Sequence, residues 1–589
     1  MSMQRGGGPA SDVLVNLALG AIAAVAGLAL VLRGAASVAA WLSGLPQPDG
    51  DIASGLAVLL DPLNPAEATG TPGLNAIVFW LVAGLMLAVL TTGVAFGVVK
   101  WRSRSRRRDP RRLEGTATGS DIAQTASTRA LQKRSANLRP SLGKQAKPAE
   151  VGYLIGTAKG QRVWASVEDS ILVLGPPRAG KGYYLAGNFI LDAPGSVVTT
   201  STRPDNLAIT LRARRRLGPV AVFDPQRLAP GLPAGLRWSP VRGCEDPLTA
   251  MIRASGFAAS TGLSGGGVDS GGFWEGKTRE AIQALLHAAA LGGLDARNLY
   301  RWTLSPAAAA DAVRILAAEP NAAEGWADSL DSMIQADPRT RDSIWQGVSL
   351  AFSAFADPRV LAAVTPAPGE VFDPTPFLQE RGTLMMLATG AGAGAAGALV
   401  AAFIEDIVET ARRMAARSPG ARLDPPLALV LDEIGNLSPL PSLPTLMAEG
   451  GGSGITTMPF LQSLAQARDK WGQEKAGAIW DSAIVKILLG GQANPKDLQD
   501  ISNLLGERDD TTMSVSHDAF GARSYQSSIR RVPVMSGEEL RTMPFGVALT
   551  LLRAVPPIVT DLRAWTARPD ADLLRADQRE IQAILQAAE

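Results

Sequence analysis

The sequence predicts a chain of the α/β class, with a helical region inserted into its sheet and a membrane anchor in front of it. Three observations support this architecture. Short apolar runs alternate with helical stretches from residue 151 onwards, about 160 residues without a comparable run interrupt them, and two uncharged apolar segments stand near the start. Continuous apolar strands separated by helices are typical of a parallel sheet that is covered on both faces.

The two apolar segments are long enough to cross a membrane. The first, 13–32, contains Asn16 as its one strongly polar residue, and the second, 76–99, contains no charge. About 20 helical residues cross the hydrocarbon layer. A cleaved signal peptide is the alternative for the first segment, but its basic start is limited to Arg5 and its apolar run is long for a signal. We expect residues 1–100 to form an anchor with two retained spans.

The charges that flank the spans predict their orientation. The stretch 34–75 has four acidic residues and no Lys or Arg, whereas "KWRSRSRRRDPRR" after the second span carries eight basic residues. The positive-inside rule places such a run in the cytoplasm, so both termini are expected on the cytoplasmic side of the cell membrane. We interpret the run as a topology anchor that contacts anionic lipid. Beyond residue 112 there are 47 basic and 49 acidic residues, so net charge does not support a DNA partner.

The cysteine and histidine content limits the chemistry of the body. Cys244 is the one cysteine, and His287 and His517 are the two histidines. These residues cannot form an internal disulfide or a zinc site of the usual kind. We therefore expect a cytosolic body without structural zinc.

The order of apolar runs predicts the domains. Residues 101–150 are polar and basic, which is typical of a linker. The runs that predict strands are 170–174, 195–201, 219–224, 383–389, 427–433, 485–490 and 547–553. The predicted domains of the body are a sheet domain in two parts, 151–245 and 373–565, an inserted all-α domain, 246–372, and a C-terminal tail, 566–589.

Two segments compete for the role of a phosphate-binding loop. "GGFWEGKT", 271–278, fits GxxxxGK(S/T) at every position, while "GPPRAGKG", 175–182, misses the last one. Such a loop needs a buried strand before it and a helix after it, with the positive helix end toward the phosphates. Only "GPPRAGKG" has this context, and the other segment would press Phe273, Trp274 and Glu275 against a polyanion. Lys277 and Thr278 are then ordinary positions early in a helix. The residues predicted to bind ATP are Gly175, Pro176, Pro177, Arg178, Ala179, Gly180, Lys181 and Gly182.

Two further segments supply candidate catalytic groups beside Lys181. "PPLALVLDEIGNL" places Asp432 and Glu433 at the end of an apolar strand, where Asp432 would hold Mg²⁺ through water and Glu433 would orient or deprotonate the attacking water. "ITTMPFLQS" predicts a strand that ends at Gln462, which would sense the γ-phosphate; a surface amide is the alternative. Gly182 has no hydroxyl for the metal, so Asp432 carries more of its binding.

As a set, the motifs resemble the type IV secretion coupling proteins, the TraG/TraD-type ATPases of conjugative DNA transfer. The resemblance covers about 170–565, and also the two spans by architecture; its motifs are specific together and not singly. The segments that carry it are "GPPRAGKG", "STRPD", "GPVAVFDP", "RWSPVRGCEDP", "FWEGKTREAIQALL", "LDEIGNL", "QSLAQARDKWG" and "LLRAVPPIVTDLRAW".

The resemblance implies a RecA-like P-loop ATPase core with an inserted all-α domain behind two transmembrane helices. It implies a homo-hexameric ring around single-stranded DNA, with ATP and Mg²⁺ bound between subunits. The implied partners are a relaxase, the inner-membrane components of a type IV secretion system and the membrane itself. The implied function is ATP-driven transfer of a single strand in conjugation, without sequence-specific reading of the DNA.

The sequence departs from the family pattern between the Asp-Glu motif and the Gln. Many relatives carry an Arg there, whereas "EGGGSGITTMPFLQS" places Gly451 at that position. An arginine acting on the neighbouring subunit's transition state would have to come from elsewhere, and Arg508 and Arg341 are two candidates. The cluster "RARRR", 212–216, is a candidate lining for a DNA channel, with a solvated helix end as the alternative.

Two other functions remain open from the sequence. A chromosome-partition translocase of the FtsK kind or a protein-exporting ATPase would share the motor, but the helical insertion and the "RWSP" and "FW" segments argue against both. A non-hydrolysing adaptor that recruits cargo is suggested by Gly182 and Gly451. The presence of Lys181, Asp432, Glu433 and Gln462 argues against it.

Overall fold

Two units make up the fold, Met1–Asp109 and Pro110–Glu589. We describe each by itself, from a computed structural model. The described residues are 9–107, 109–143, 146–232, 236–263, 271–389, 396–437, 439–517 and 523–588.

The first unit is built on two long helices that pack against each other. Its helices are α1 (Pro9–Leu42), α2 (Ile52–Ala57), α3 (Pro65–Ala68) and α4 (Ala76–Arg107). Ala24–Leu42 and Ala76–Gly97 are long and apolar enough to cross a membrane, by length and composition. They overlap the two predicted spans. Arg33, within α1, donates hydrogen bonds to the backbone carbonyls of Gly50 and Pro48, so its charge is held by the connection between the helices.

The second unit is organised around an eleven-stranded sheet, with a separate two-stranded ribbon. Its first strands are β1 (Gly152–Ala158), β2 (Gln161–Ser166), β3 (Ile171–Leu174), β4 (Val197–Ser201), β5 (Val220–Phe223), β6 (Thr383–Leu387) and β7 (Leu427–Leu431). The remaining strands are β8 (Ile455–Leu461), β9 (Val485–Leu489), β10 (Glu507–His517), β11 (Arg523–Pro533), β12 (Val547–Leu552) and β13 (Ile558–Leu562). All seven predicted strands, and the strand before Gln462, are present.

The sheet order is β2-β1-β13-β12-β9-β3-β8-β7-β4-β6-β5. From β9 to β5 every neighbouring pair is parallel, which confirms the predicted parallel core. At the other end, β12 pairs antiparallel with both β9 and β13, so the expectation that 547–553 joins the parallel set was wrong. An apolar run predicts that a strand is buried, but it does not predict whether the strand runs parallel or antiparallel to its neighbours.

Helices cover the sheet and fill the insertion. Up to the insertion they are α5 (Gly119–Thr125), α6 (Thr128–Lys133), α7 (Ser135–Leu138), α8 (Pro148–Val151), α9 (Gly187–Asp192) and α10 (Asp205–Arg215). Within it they are α11 (Pro247–Ala259), α12 (Gly271–Leu291), α13 (Ala296–Thr303), α14 (Pro306–Ala318), α15 (Trp326–Gln335), α16 (Pro338–Ala351), α17 (Pro358–Ala363) and α18 (Pro374–Gln379). After it they are α19 (Gly397–Ala416), α20 (Ile434–Leu437), α21 (Leu443–Glu449), α22 (Leu464–Trp471), α23 (Gln473–Ser482), α24 (Pro495–Leu505), α25 (Gly537–Arg541) and α26 (Ala571–Ala587).

The described residues between β5 and β6 contain helices and no strand. Four of these helices begin at an Asp-Pro pair, in which the Asp side chain accepts a hydrogen bond from the first turn and the Pro occupies the first helical position. An Asp cap and a Pro whose φ is already helical both favour a helix start. The dipeptides thus explain why this stretch divides into short helices.

Residues 110–150 are not the free linker that their polar composition predicted. Ile122, Leu131 and Leu138 are buried in the same cluster as the first strands of the sheet. Arg139 lies against the body, where its Nε donates to Asp424 at 2.8 Å. The apolar residues are spaced too irregularly to reveal this packing from the sequence.

The arginine cluster 212–216 also has a structural role. Arg214 is buried and donates to the carbonyls of Ala193 and Gly195. Arg212 pairs with Glu580, and Arg216 pairs with Asp577, both on α26. Arg212 and Arg216 therefore hold the C-terminal helix against α10, and a role of the cluster in lining a DNA channel stays a prediction.

Candidate nucleotide-binding site

Strand β3 delivers the chain to the segment Gly175–Gly182 at the centre of the eleven-stranded sheet. The four residues of β3 are fully buried, and its neighbours are β8 and β9. After the loop, a π-helical segment, Lys181–Ala186, leads into α9. A buried strand, a turn and a helical start are the context that a phosphate-binding loop requires.

The backbone of the loop adopts two left-handed positions. Arg178 has φ 64°, and Gly180 has φ 87°. A Cβ at Gly180 would lie 2.8 Å from the ring of Tyr184 and 3.0 Å from that of Phe545. Glycine is therefore required at 180 by conformation and by space.

Lys181 folds back across the loop. Its Nζ donates to the carbonyl of Gly175 at 2.7 Å and to that of Pro176 at 3.2 Å, and its side chain is buried. Burial lowers the pKa of Lys181, while Glu433 and Asp432 act in the opposite direction. The lysine is thus held beside both carboxylates, where a phosphate would meet it.

Asp432 and Glu433 directly follow β7, two strands from β3 in the sheet. Burial raises the pKa of Asp432 to about 6, with Glu433 adding to the shift and Lys181 opposing it. Oδ1 of Asp432 is buried and has no hydrogen-bond partner among the described residues. A buried, unpaired carboxylate oxygen of this kind fits a hydrated divalent cation.

Glu433 stands in a strained conformation and lies in a network of amides. Its φ is 55°, which is uncommon for a residue with a side chain and is frequent at functional sites. Its Oε2 accepts a hydrogen bond from Asn436, and Nε2 of Gln462 lies 3.4 Å from the same oxygen. Gln466 donates to Asn436 and accepts from the backbone N–H of Gln462. The fold therefore brings Gln462 to Glu433, as the order of the strands predicts.

Asn206 is a polar residue at this site that the sequence analysis missed. It lies in the first turn of α10, directly after the "STRPD" segment that follows β4. Its Nδ2 donates to Oδ2 of Asp432 at 2.9 Å, and the side chain is buried. The place of Asn206 shortly after β4 could have indicated this, because β4 pairs in parallel with β7 and the C-terminal ends of both strands lie at the same edge of the sheet.

Aromatic side chains border the loop as well. The ring of Tyr184 packs edge-on against Phe545, with centroids 5.1 Å apart. Phe545 is 66% exposed, so a large apolar ring faces solvent beside Gly180. Phe545 is far from the loop in sequence, and only the pairing of β12 with β9 brings it there.

The segment that fits the sequence pattern perfectly lies in a helix. Gly271–Thr278 forms the start of α12 in the insertion. Lys277 pairs with Glu280 at 2.7 Å, and Thr278 is buried against Gly347. A helix start without a preceding buried strand does not form the backbone cradle that phosphate needs.

Gly451, which stands where the family pattern has an arginine, packs directly against backbone. A Cβ at Gly451 would lie 1.9 Å from the carbonyl oxygen of Glu168, so no side chain fits there. Of the two suggested substitutes, Arg341 lies on α16 and pairs with Asp342, and Arg508 lies on β10.

Comparison with known proteins gives one family match and several similar structures. A family model described as the TraM recognition site of TraD and TraG matches residues 426–545, which include Asp432, Glu433, Gln462 and Phe545. No curated protein matches the sequence significantly.

Two of the similar solved structures are of a conjugative coupling protein. An unbound form of the bacterial conjugative coupling protein TrwB, TrwBdeltaN70, is 18% identical with a TM-score of 0.52, covering 73% of this chain and 91% of that chain. The plasmid coupling protein TrwB in complex with ADP and Mg²⁺ is 18% identical with a TM-score of 0.49, covering 74% and 92%. The first match confirms the predicted α/β fold, and the family match supports the resemblance to TraD and TraG over residues 426–545.

Proposed function

We propose that this chain is a coupling protein of the TraG/TraD type, a membrane-anchored ATPase that joins a relaxase–DNA complex to a type IV secretion channel. In this proposal the second unit hydrolyses ATP and drives single-stranded DNA outward during conjugation. The two apolar helices of the first unit hold the protein in the cell membrane, with both termini in the cytoplasm.

One observation carries the proposal. Lys181 and the adjacent carboxylates Asp432 and Glu433 come from two separate parts of the chain and interact electrostatically at one edge of the sheet. Gln462 joins them through Glu433. A lysine on a strand-borne loop, a carboxylate pair and a γ-phosphate sensor are the groups that phosphoryl transfer requires. An adaptor without hydrolysis would not need to keep Glu433 in a strained conformation beside Gln462.

The roles of the residues follow from their positions. Gly175–Gly182 would bind the phosphates through backbone N–H groups, and Lys181 would leave its two carbonyl partners to contact the phosphate oxygens. Glu433 would accept a proton from the attacking water, while Gln462 positions that water. Asp432, whose Oδ1 lacks a partner among the described residues, would hold Mg²⁺ through water. The bound Mg²⁺ would neutralise charge on the phosphate oxygens.

The partners in this proposal are a relaxase, single-stranded DNA and the inner-membrane components of a secretion system. DNA binding would rest on phosphate contacts and stay insensitive to sequence. As the family resemblance implies, the chain would act as a homo-hexamer with ATP bound between subunits. The family match, which is named for TraM recognition in TraD and TraG, supports a partner-binding role for residues 426–545.

The experiment that tests the proposal is ATP hydrolysis by the full chain in detergent, with and without single-stranded DNA. We expect Mg²⁺-dependent turnover that single-stranded DNA stimulates. ATP binding without turnover would support the adaptor instead, and turnover stimulated by a cargo protein but not by DNA would support a protein-exporting motor.

A further inference from the structure

Asn206 connects the phosphate-binding loop with the carboxylate of β7. Its Nδ2 donates to Oδ2 of Asp432 at 2.9 Å. On the other side, its Oδ1 lies 2.9 Å from the position that a Cβ at Gly182 would occupy. The side chain is buried, and it is fixed at the first turn of α10. The amide therefore fills the space between Gly182 and Asp432.

This space is where the common form of the loop places a hydroxyl. A Ser or Thr at position 182 would carry its oxygen on a Cβ, roughly 1.4 Å beyond that atom and thus within the region that the Asn206 amide occupies. A Cβ that approaches a polar oxygen to 2.9 Å forces one of the two to move. A hydroxyl-bearing residue at 182 therefore requires the Asn206 amide to shift from its observed position.

The orientation of the amide follows from its partner. A carboxylate accepts hydrogen bonds and cannot donate them, so the NH₂ group of Asn206 must face Asp432. The carbonyl oxygen then faces Gly182 and the start of the helical segment. Amide carbonyl oxygens are good ligands for Mg²⁺, directly or through water.

We propose that the side-chain oxygen of Asn206 replaces the hydroxyl that Gly182 lacks, and binds the Mg²⁺ of the nucleotide together with Asp432. The inference rests on the proposed function, since it requires that the loop binds Mg·ATP. It explains how a loop ending in Gly–Lys–Gly keeps a second protein oxygen at the metal. It also makes Gly182 necessary, because a side chain there would displace the amide.

The experiment compares ADP affinity in two solutions, with EDTA and with saturating Mg²⁺, by calorimetry on the full chain in detergent. The ratio of the two Kd values is the Mg²⁺ enhancement, which measures what the metal contributes to ADP binding. The Kd in EDTA measures ADP binding by the loop without the metal. Asn206→Leu keeps the volume and removes the oxygen. We expect it to reduce the Mg²⁺ enhancement about ten-fold or more, as loss of a metal-site partner does, and to leave the Kd in EDTA unchanged. An unchanged Mg²⁺ enhancement would overturn the inference.

A second pair of variants restores the common arrangement. Asn206→Ala removes the amide, and Gly182→Ser in the Asn206→Ala background supplies a hydroxyl in the vacated space. We expect the double variant to regain most of the Mg²⁺ enhancement that Asn206→Ala loses, whereas Gly182→Ser alone brings no gain because it clashes with Asn206. A double variant no better than Asn206→Ala would contradict the inference.

The controls separate the possible failures. If Asn206→Leu also weakens ADP binding in EDTA, that variant is misfolded. The inference is then decided by comparing the Mg²⁺ enhancement of the double variant with that of Asn206→Ala. Wild-type chain that binds ADP equally with and without Mg²⁺ would overturn the inference and leave nucleotide binding intact. Wild-type chain that binds no ADP in either solution would overturn the proposed function and the inference with it.

Discussion

At the scale of single residues, Glu433 is the group to which the proposed function assigns the catalytic base. Its left-handed backbone and its hydrogen bonds with Asn436 and Gln462 hold one carboxylate oxygen in a fixed place. Lys181 and Asp432 lie close enough to influence it electrostatically. Strain of this kind persists when the surroundings determine the conformation, and here the surroundings are the ends of three neighbouring strands.

Glu433→Gln tests the assigned base. Glutamine retains an acceptor oxygen for Asn436 but cannot take a proton from water, so we expect ATP turnover to fall about 100-fold or more, while ATP binding changes little. Glu449→Gln, at an exposed position on α21, is the matched control and should retain wild-type turnover. Steady-state hydrolysis and equilibrium binding on the full chain measure the two effects, and near-normal turnover in Glu433→Gln would remove Glu433 from its role.

At the scale of elements, residues 110–150 pack as part of the body. Arg139 is buried, lies 2.8 Å from Asp424 and donates to the carbonyl of Glu150. Burial alone would raise the pKa of Asp424, but hydrogen bonds from Ser141 and Arg139 outweigh it and lower that pKa. The pair thus anchors the segment to the loop before β7.

Arg139→Met should destabilise the second unit by about 3 kcal/mol at neutral pH, because it leaves the Asp424 charge largely buried without its partner. Arg134→Met, in a more exposed pair with Glu168, is the control and should cost less than about 1 kcal/mol. Because Asp424 has a lower pKa when folded, its contribution is complete above about pH 4 and is lost as the pH falls through the folded value. Thermal unfolding of the full chain should therefore show a smaller Arg139→Met effect in acid, and equal effects of both variants would contradict this packing.

The elements that the sequence predicted are those with a strong apolar signal. Strands β3, β5, β6 and β7 are almost entirely apolar, and their burial follows from composition. The ribbon β10–β11 was not predicted, because "ERDDTTMSVSH" alternates little and is largely polar. Strands β1, β2 and β13 were missed because they are short or carry Gly and polar residues, and their pairing is set by distant parts of the chain.

The candidate site was predictable in outline and not in detail. Lys181, Asp432, Glu433 and Gln462 each end a strand or follow one, and the ends of parallel strands meet at one edge. Asn206 and Phe545 were missed because their place depends on how α10 and β12 pack, which no local pattern shows.

At the scale of the whole molecule, the proposed function requires the first unit to lie in a membrane and the second in the cytoplasm. Leu60 lies between the two long helices and is 89% exposed, whereas Leu504 belongs to the second unit and is 61% exposed. Cys244, the native cysteine, is buried, so labelling of a variant with one added cysteine measures the accessibility of the added residue. We expect a membrane-impermeant maleimide to label Leu60→Cys and not Leu504→Cys in spheroplasts. After lysis both should react, and labelling of Leu504→Cys before lysis would reverse the proposed orientation.

The central claim is that "GPPRAGKG", and not the perfect match "GGFWEGKT", holds the triphosphate. The most direct measurement is ATP turnover, with single-stranded DNA, by the full chain carrying Lys181→Ala or Lys277→Ala. We expect Lys181→Ala to lose about 100-fold or more, because the loop loses its one buried cation at the phosphates. Lys277→Ala should stay within about two-fold of wild type, because it loses only a half-exposed ion pair on α12. Normal turnover in Lys181→Ala together with an inactive Lys277→Ala would contradict the account.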